Sequence, residues 1–233
     1  MQLFFQEHIS DTSNQVTFER DESKHIVKVL RKKVGDTLHV TNGKGWLFDV
    51  EIVSDNHNKC VAEIISKTYQ EPKSYNLHIF IAPTKMNDRF EWFLEKATEI
   101  GISEITPILC DHSERKTIKA DRFERVIQSA MKQSLQYHMP KLNDLTPLSE
   151  VVTANFEGQR FIAHCEDDQE RAPLQNKMTS KTINILIGPE GDFSTEEIAS
   201  ALKNNWQPVT LGNTRLRTET AGIVAATIVS LGF

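Results

Sequence analysis

Residues 185–198 read ILIGPEGDFSTEEI. The apolar run that begins at Ile183 and ends at Ile187 has the length and branching of a buried strand. Gly188-Pro189-Glu190-Gly191 then turns the chain. Ser194-Thr195-Glu196-Glu197 follows, with the acid three positions after the hydroxyl, which is the signature of a capping box at a helix start. A buried strand, a tight turn and a helix form one step of an α/β alternation. In an open α/β sheet, ligands bind beyond the carboxyl ends of the strands. Gly188 and Gly191 lack a Cβ and would let backbone approach a ligand closely, while Pro189 stiffens the turn. A GxxG alone is equally an ordinary strand–turn–helix link. No Gly-Lys-Ser/Thr follows, so this is not a P-loop, and the dinucleotide fingerprint is absent.

A second stretch, LGNTRLRTETA at 211–221, repeats the design. A strand runs to Leu211, Gly212-Asn213 turns the chain, and an almost wholly apolar helix follows. Thr218 or Thr220 is expected to cap that helix. Arg215 and Arg217 then lie where helix amides already favour anions, which is costly unless an anion or carboxylate answers them. Glu190 or Glu219 could be that internal partner. The two loops together outline a cleft lined by backbone donors and acceptors. Leu211, Leu216 and Ala221 offer apolar contact to an adenine-bearing cofactor.

Outward from these loops, residues 72–233 alternate between strands and helices. Strands are expected at 77–82, 104–109, 161–163 and 183–187, and near Val209. Phe90, Phe93, Leu94, Ala97 and Ile100 recur at helical spacing up to Gly101, and Phe123, Val126, Ile127, Ala130, Met131 and Leu135 make a second stripe. This pattern predicts a mostly parallel sheet covered on both faces. Residues 1–71 differ. Short runs rich in β-branched and aromatic residues are separated by turn signals such as Asn42-Gly43-Lys44-Gly45, with one helix expected from Glu22 to Arg31. A small β-barrel is the expected form. The boundary is placed at the polar Glu71-Pro72-Lys73-Ser74.

The chain has 233 residues and a net charge of −5, which argues against indiscriminate nucleic-acid binding. The distribution is uneven. KHIVKVLRKK at 24–33 carries five Lys/Arg and no acid; residues 111–141 carry seven Lys/Arg against four acids; residues 142–200 carry four against eleven. Two solvated helix faces would account for this, and so would a split footprint for a polyanion. Cys60, Cys110 and Cys165 form no CxxC pair, and the eight histidines show no HxxxH or HExxH spacing. Free thiols in a reducing cytoplasm are expected, without a metal site. No secretory signal or membrane span is read, so a cytoplasmic location is expected.

IGPEGDFSTEEI and LGNTRLRTETA strongly resemble the SPOUT methyltransferases, specifically the RsmE family of 16S rRNA uridine-N3 methyltransferases. KHIVKVLRKKVGD, KMNDRFEWFLEKATEIGISEITPI at 85–108 and SAMKQS at 129–134 match the same family in the same order. The resemblance implies a PUA-like β-barrel that helps grip RNA. It also implies a SPOUT-type α/β domain with a trefoil knot, a homodimer, and S-adenosyl-L-methionine held in the knot. Its substrate would be 16S rRNA in the small ribosomal subunit. Carried over by position, Gly188, Pro189, Glu190, Gly191, Leu211, Gly212, Leu216, Thr218, Thr220 and Ala221 would bind the cofactor. Arg217 would stabilise negative charge on the base, with Glu190 or Glu219 as candidate general base. Arg20, Lys24, Lys28, Arg31, Lys32, Lys33, Arg89, Arg115, Lys116 and Arg215 would contact RNA. The sequence departs from the family at Asp192, where a glycine is usual, at Gln136, where arginine is common, and at Asn213-Thr214, which replaces a proline-containing turn. A non-catalytic RNA-binding ribosome assembly factor and a SPOUT enzyme acting on tRNA are the alternative readings.

Overall fold

The computed structural model describes residues 1–166 and 171–233. The chain divides into two compact units, Met1–Pro72 with Met131–Met139, and Lys73–Ala130 with Pro140–Phe233.

In the first unit, strands β1 (Leu3–Phe5), β2 (Gln15–Thr17), β3 (Thr37–Thr41), β4 (Trp46–Ser54) and β5 (Val61–Tyr69) form one sheet in the order β1-β3-β4-β5-β2. All its pairs are antiparallel except β1 with β3. Alternation sets the buried face. Phe48, Val50 and Ile52 of β4 are wholly buried, while Glu51 between them is exposed. They pack with Phe4, Phe18, Leu38 and Val40, and each such side chain contributes about 2 kcal/mol by leaving water. The helix expected over Glu22–Arg31 is shorter and less regular. Helix α1 (Arg20–Lys24) passes into a π-helical turn, His25–Val29, in which the Leu30 amide donates to the His25 carbonyl at 2.9 Å. Arg31 then takes φ +56° and ends it. The extra residue in the turn presents Ile26 to the core and leaves Val29 65 % exposed.

Segment 131–139, which the sequence reading counts with the second domain, groups with this unit. The Gly45 amide donates to the Tyr137 carbonyl at 2.8 Å and the Met139 amide to the Gly43 carbonyl at 2.9 Å. Gly45 has φ +93°, and a Cβ there would stand 2.7 Å from the His138 ring. The Asn-Gly-Lys-Gly turn is therefore glycine-rich to receive this segment.

The second unit holds β6 (Asn76–Ile81), α2 (Asn87–Ile100), β7 (Glu104–Leu109), α3 (Ala120–Gln133, whose residues from Met131 on group with the first unit), β8 (Lys141–Leu142), β9 (Thr146–Pro147) and α4 (Leu148–Thr153). Then come β10 (Gln159–Ala163), β11 (Ala172–Pro173), α5 (Leu174–Lys177), β12 (Thr182–Ile187), α6 (Thr195–Lys203), β13 (Gln207–Thr210) and α7 (Thr218–Gly232). The sheet runs β11-β13-β10-β12-β6-β7-β8, with β9 beside β7, and every pair is parallel. Helices cover both faces, as expected. Phe80, Ile162 and Leu186 pack against Val151 and Val152 of α4, Ile198 and Ala201 of α6, and Trp206. On the other face α7 lies against α2, β6 and β12. The α2 stripe ends at Gly101 with φ +108°. The second stripe stops earlier than expected: α3 ends at Gln133, and Leu135 has φ +55° and is exposed.

The chain passes from β10 to β12 on one side and then to β13 on the other. Ala163 pairs with both Ile187 and Val209, so the three strands end level. This reversal is the topological switch point at which an open α/β sheet forms a crevice.

Candidate active site

The crevice beyond β10, β12 and β13 has a volume of about 600 Å³, ample for a nucleotide-sized ligand. Its walls are the loops that follow the three strands. Ala163, His164, Cys165 and Arg171 come from the first, Gly188, Pro189, Glu190 and Asp192 from the second, and Val209 to Thr218 with Ala221 from the third.

Hydrogen bonds fix these loops to one another. The Thr218 hydroxyl donates to the Gly188 carbonyl at 3.0 Å, joining the third loop to the second. The Cys165 amide donates to Asp192 Oδ2 at 2.7 Å, joining the first to the second. Asp192 also accepts the Phe193 amide on Oδ1 at 2.9 Å, and its own φ is +64°. That left-handed backbone is what a glycine at this position would adopt without cost. Helix α6 starts with the capping box read from the sequence: Ser194 Oγ accepts the Glu197 amide, and Glu197 Oε2 accepts the Ser194 amide at 2.9 Å.

Of the residues expected at the cofactor, Gly188, Pro189, Glu190, Leu211, Gly212, Leu216, Thr218 and Ala221 line the crevice; Gly191 and Thr220 do not. The two glycines of the Gly-Pro-Glu-Gly turn make room for protein. A Cβ on Gly188 would stand 3.1 Å from the Phe193 ring, and one on Gly191 would stand 3.0 Å from His112 Cβ. Gly212 differs: with φ +153°, none of the described residues stands within 4 Å of its Cβ position, so its free side is open to a ligand. The expected threonine cap of α7 is also corrected. Arg217 is the N-cap, no side chain among the described residues caps the helix, and Thr218 spends its hydroxyl on Gly188 instead. The first amides of α7 are thus without a side-chain acceptor.

The arginines are not answered by the acids proposed for them. Glu190 Oε1 accepts the Lys85 amide at 3.0 Å. Glu219 is buried beside Arg89, 3.9 Å from its Nε, and among the described residues Glu219 Oε2 has no hydrogen-bond partner. Among the described residues neither Arg215 nor Arg217 enters an ion pair. Both line the crevice and both are exposed. Glu219 does not line it.

The expected RNA contacts separate. Arg20, Lys28, Arg31 and Lys33 are exposed and Lys24 and Lys32 half-buried along α1 and the turn after it. Arg115 is otherwise engaged: its guanidinium donates to the Thr84 carbonyl at 3.1 Å and the Lys85 carbonyl at 2.6 Å. Lys116 lines a second cavity, of about 490 Å³, with Asp111 and Glu197.

The sequence reading missed the first wall. His164 is buried, and burial, then the Arg171 cation, push its pKa down despite Asp192 and Glu166. Burial and the Asp192 charge push the Cys165 thiol up, so it is not an activated thiolate. The strand Phe161-Ile162-Ala163 is legible in the sequence, and because ligands bind beyond the carboxyl ends of strands its end carries the same signal as Gly188. Among the described residues no group of three His, Cys, Asp or Glu side chains could hold a metal ion, and no helix is long and apolar enough to cross a membrane.

Comparison with known proteins agrees with this geometry. A family of RNA methyltransferase domains matches residues 71–230, and a family of RNA methyltransferase PUA domains matches residues 18–65. Ribosomal RNA small subunit methyltransferase E of Buchnera aphidicola subsp. Acyrthosiphon pisum is 30% identical over 94% of this chain and 89% of its own. The protein of the same name from Mesomycoplasma hyopneumoniae is 31% identical over 86% and 88%. The crystal structure of a "probable rRNA-methyltransferase" from Porphyromonas gingivalis is 39% identical, with a TM-score of 0.89 over 97% of this chain and 95% of that one. A ribosomal RNA small subunit methyltransferase E from Neisseria gonorrhoeae, bound to S-adenosyl methionine, shares the fold at 22% identity, with a TM-score of 0.83 over 97% and 95%. The chain belongs to the ribosomal RNA small subunit methyltransferase E family of RNA methyltransferases.

Proposed function

We propose that this protein transfers a methyl group from S-adenosyl-L-methionine to N3 of one uridine in 16S rRNA of the small ribosomal subunit. The crevice fits the cofactor in kind as well as volume. Leu211, Leu216 and Ala221 offer an apolar surface to a purine, Gly212 leaves backbone open to close approach, and the uncapped amides of α7 suit an anionic group. When bound, the cofactor supplies an electrophilic methyl on a sulfonium.

The residues of this chain would then prepare the base. N3 of uridine carries a proton, so the site must accept that proton and stabilise the anion that remains. Arg217, exposed at the crevice and free of ion pairs among the described residues, is suited to the second task. Glu190 lines the crevice and Glu219 does not, which favours Glu190 as the proton acceptor. Packing of the three loops through Thr218 and Asp192 would keep the reacting groups aligned. Arg217 beside the crevice, without an ion-pair partner among the described residues, is the observation that carries the reading.

Two features accompany it. The β13-β10-β12 order, with the third loop tied to the second, suits a trefoil knot around the cofactor. Helix α7 leaves Ile223, Val224, Thr227 and Ile228 partly uncovered and Leu231 84 % exposed. That apolar stripe at helical spacing suits a twofold pairing with a second copy of the chain. The basic surface of α1 and its π-turn would hold phosphates without reading bases.

The deciding experiment incubates the protein and labelled S-adenosylmethionine with small subunits from cells lacking the enzyme, then maps the modified nucleotide by mass spectrometry. One N3-methyluridine in 16S rRNA is expected. Label in tRNA, or subunit binding without methyl transfer, would reject the proposal.

A further inference from the structure

His164 follows the last residue of β10 and lines the crevice. It is 4 % exposed, and among the described residues neither Nδ1 nor Nε2 has a hydrogen-bond partner. Its neighbours are committed elsewhere. Asp192 gives one oxygen to the Phe193 amide and the other to the Cys165 amide. The Arg171 guanidinium donates to the main-chain carbonyl of His164 and not to the ring. Buried polar groups are almost always hydrogen-bonded, so an imidazole orphaned at both nitrogens calls for a partner from outside the chain.

The chemistry of the ring limits that partner. Burial, together with the Arg171 charge, lowers the pKa of the ring and so favours the neutral imidazole. A neutral imidazole offers one N–H donor and one acceptor nitrogen. A carboxylate accepts only and an ammonium donates only, so either end of an amino-acid tail would answer one half of the ring. The two ring nitrogens point away from each other, so each takes its own partner; ribose hydroxyls and the adenine edge supply donors and acceptors without charge and so can answer a ring nitrogen in either tautomer. Resting on the cofactor reading above, we propose that His164 is a binding residue for the nucleoside part of the cofactor, hydrogen-bonding it through a ring nitrogen.

Calorimetric titration of the full chain with S-adenosylhomocysteine and with 5′-methylthioadenosine, which keeps the nucleoside and lacks the amino-acid tail, tests this. H164A is expected to weaken both ligands by about tenfold, and H164N, which restores a donor and an acceptor, to recover most of the loss. The ligand-free melting temperature of H164A should stay within about 2 °C of the parent, because no protein partner is lost. The ring nitrogen resonances of the parent protein should shift on addition of 5′-methylthioadenosine. Unchanged affinity in H164A, a loss confined to S-adenosylhomocysteine, or ring resonances that ignore the ligand would each overturn the assignment. H164F supplies the comparison if H164A does not fold. Failure of the parent protein to bind either ligand would instead remove the cofactor reading itself.

Discussion

Asp192 carries two demands on one side chain. Its φ of +64° lies where an L-residue is strained, and its carboxylate joins the loop after β12 to the loop after β10 through Phe193 and Cys165. Asp192→Ala keeps the strain and loses both bonds. The two bonds are worth about 1 kcal/mol each, so with the strain retained a loss of about 2 kcal/mol in urea denaturation is expected; the left-handed backbone itself costs an alanine about 1–2 kcal/mol. Asp192→Gly loses the same bonds without the strain and should lie about 1 kcal/mol above the alanine variant. Equal stability of the two would refute the strain argument. Arg217→Ala should abolish methylation while S-adenosylhomocysteine affinity stays within a few-fold, because Arg217 is assigned to the base and not to the cofactor; parallel loss of both would remove that role. The sequence placed Arg217 and Asp192 in the right loops. It could not supply the Asp192–Cys165 bond, since a side-chain contact between segments 27 residues apart leaves no local pattern. The same lack of local pattern hid His164, whose significance lies in what its ring does not touch.

Elements with strong periodicity were legible, and those stabilised by a few specific contacts were not. Phe90, Phe93, Leu94 and Ala97 are all wholly buried, as their spacing predicts. Strands β8, β9 and β11 have two residues each, too few to show a period. The α7 cap failed for a different reason: Thr218 had a buried carbonyl to satisfy, and that bond outranked capping. Gly222 within α7 was read as part of an apolar run, yet its lack of a side chain is what seats the helix. A Cβ there would stand 2.5 Å from the Phe93 ring and 3.0 Å from Ile81. Gly222→Ala should therefore destabilise by about 1–3 kcal/mol through overpacking, although alanine favours a helix by about 1 kcal/mol; a rise in thermal midpoint would contradict this packing. His78 bonds Thr106 at 2.7 Å and stands 3.9 Å from Glu104, and burial lowers its pKa to about 4. Above pH ~6.5 the ring is neutral folded or unfolded. Between ~6.5 and ~4 only the unfolded chain takes the proton, so stability should fall as the pH drops, by at most about 3 kcal/mol. Glu104, held low by Asn143 and Lys141 against the opposing effect of burial, adds loss at still lower pH. Denaturation midpoints across this range should flatten in His78→Gln; an unchanged slope would assign the acid sensitivity elsewhere.

At the scale of the whole molecule, charge and chain order pull apart what sequence position groups together. The net charge of −5 hides a surface in which Lys24, Lys28, Arg31, Lys32 and Lys33 occur without an intervening acid. The grouping of 131–139 with the first unit escaped the sequence because it depends on backbone bonds from Gly43 and Gly45, and not on composition. An acidic protein that acts on RNA must confine its phosphate contacts to such a patch, since the average field opposes binding. Arg31 and Lys33 are exposed and enter no ion pair among the described residues, so reversing their charge leaves the fold without a lost partner. The double variant R31E/K33E should raise KM for small subunits by about tenfold or more, with kcat and S-adenosylhomocysteine affinity held near those of the parent. Each lost phosphate contact also removes about one unit from the slope of log affinity against log salt. A flatter salt dependence together with the raised KM would identify a phosphate grip. A raised KM with an unchanged salt slope would mean that the basic turn acts through shape or protein contact, and the electrostatic account of how this chain holds RNA would have to be given up.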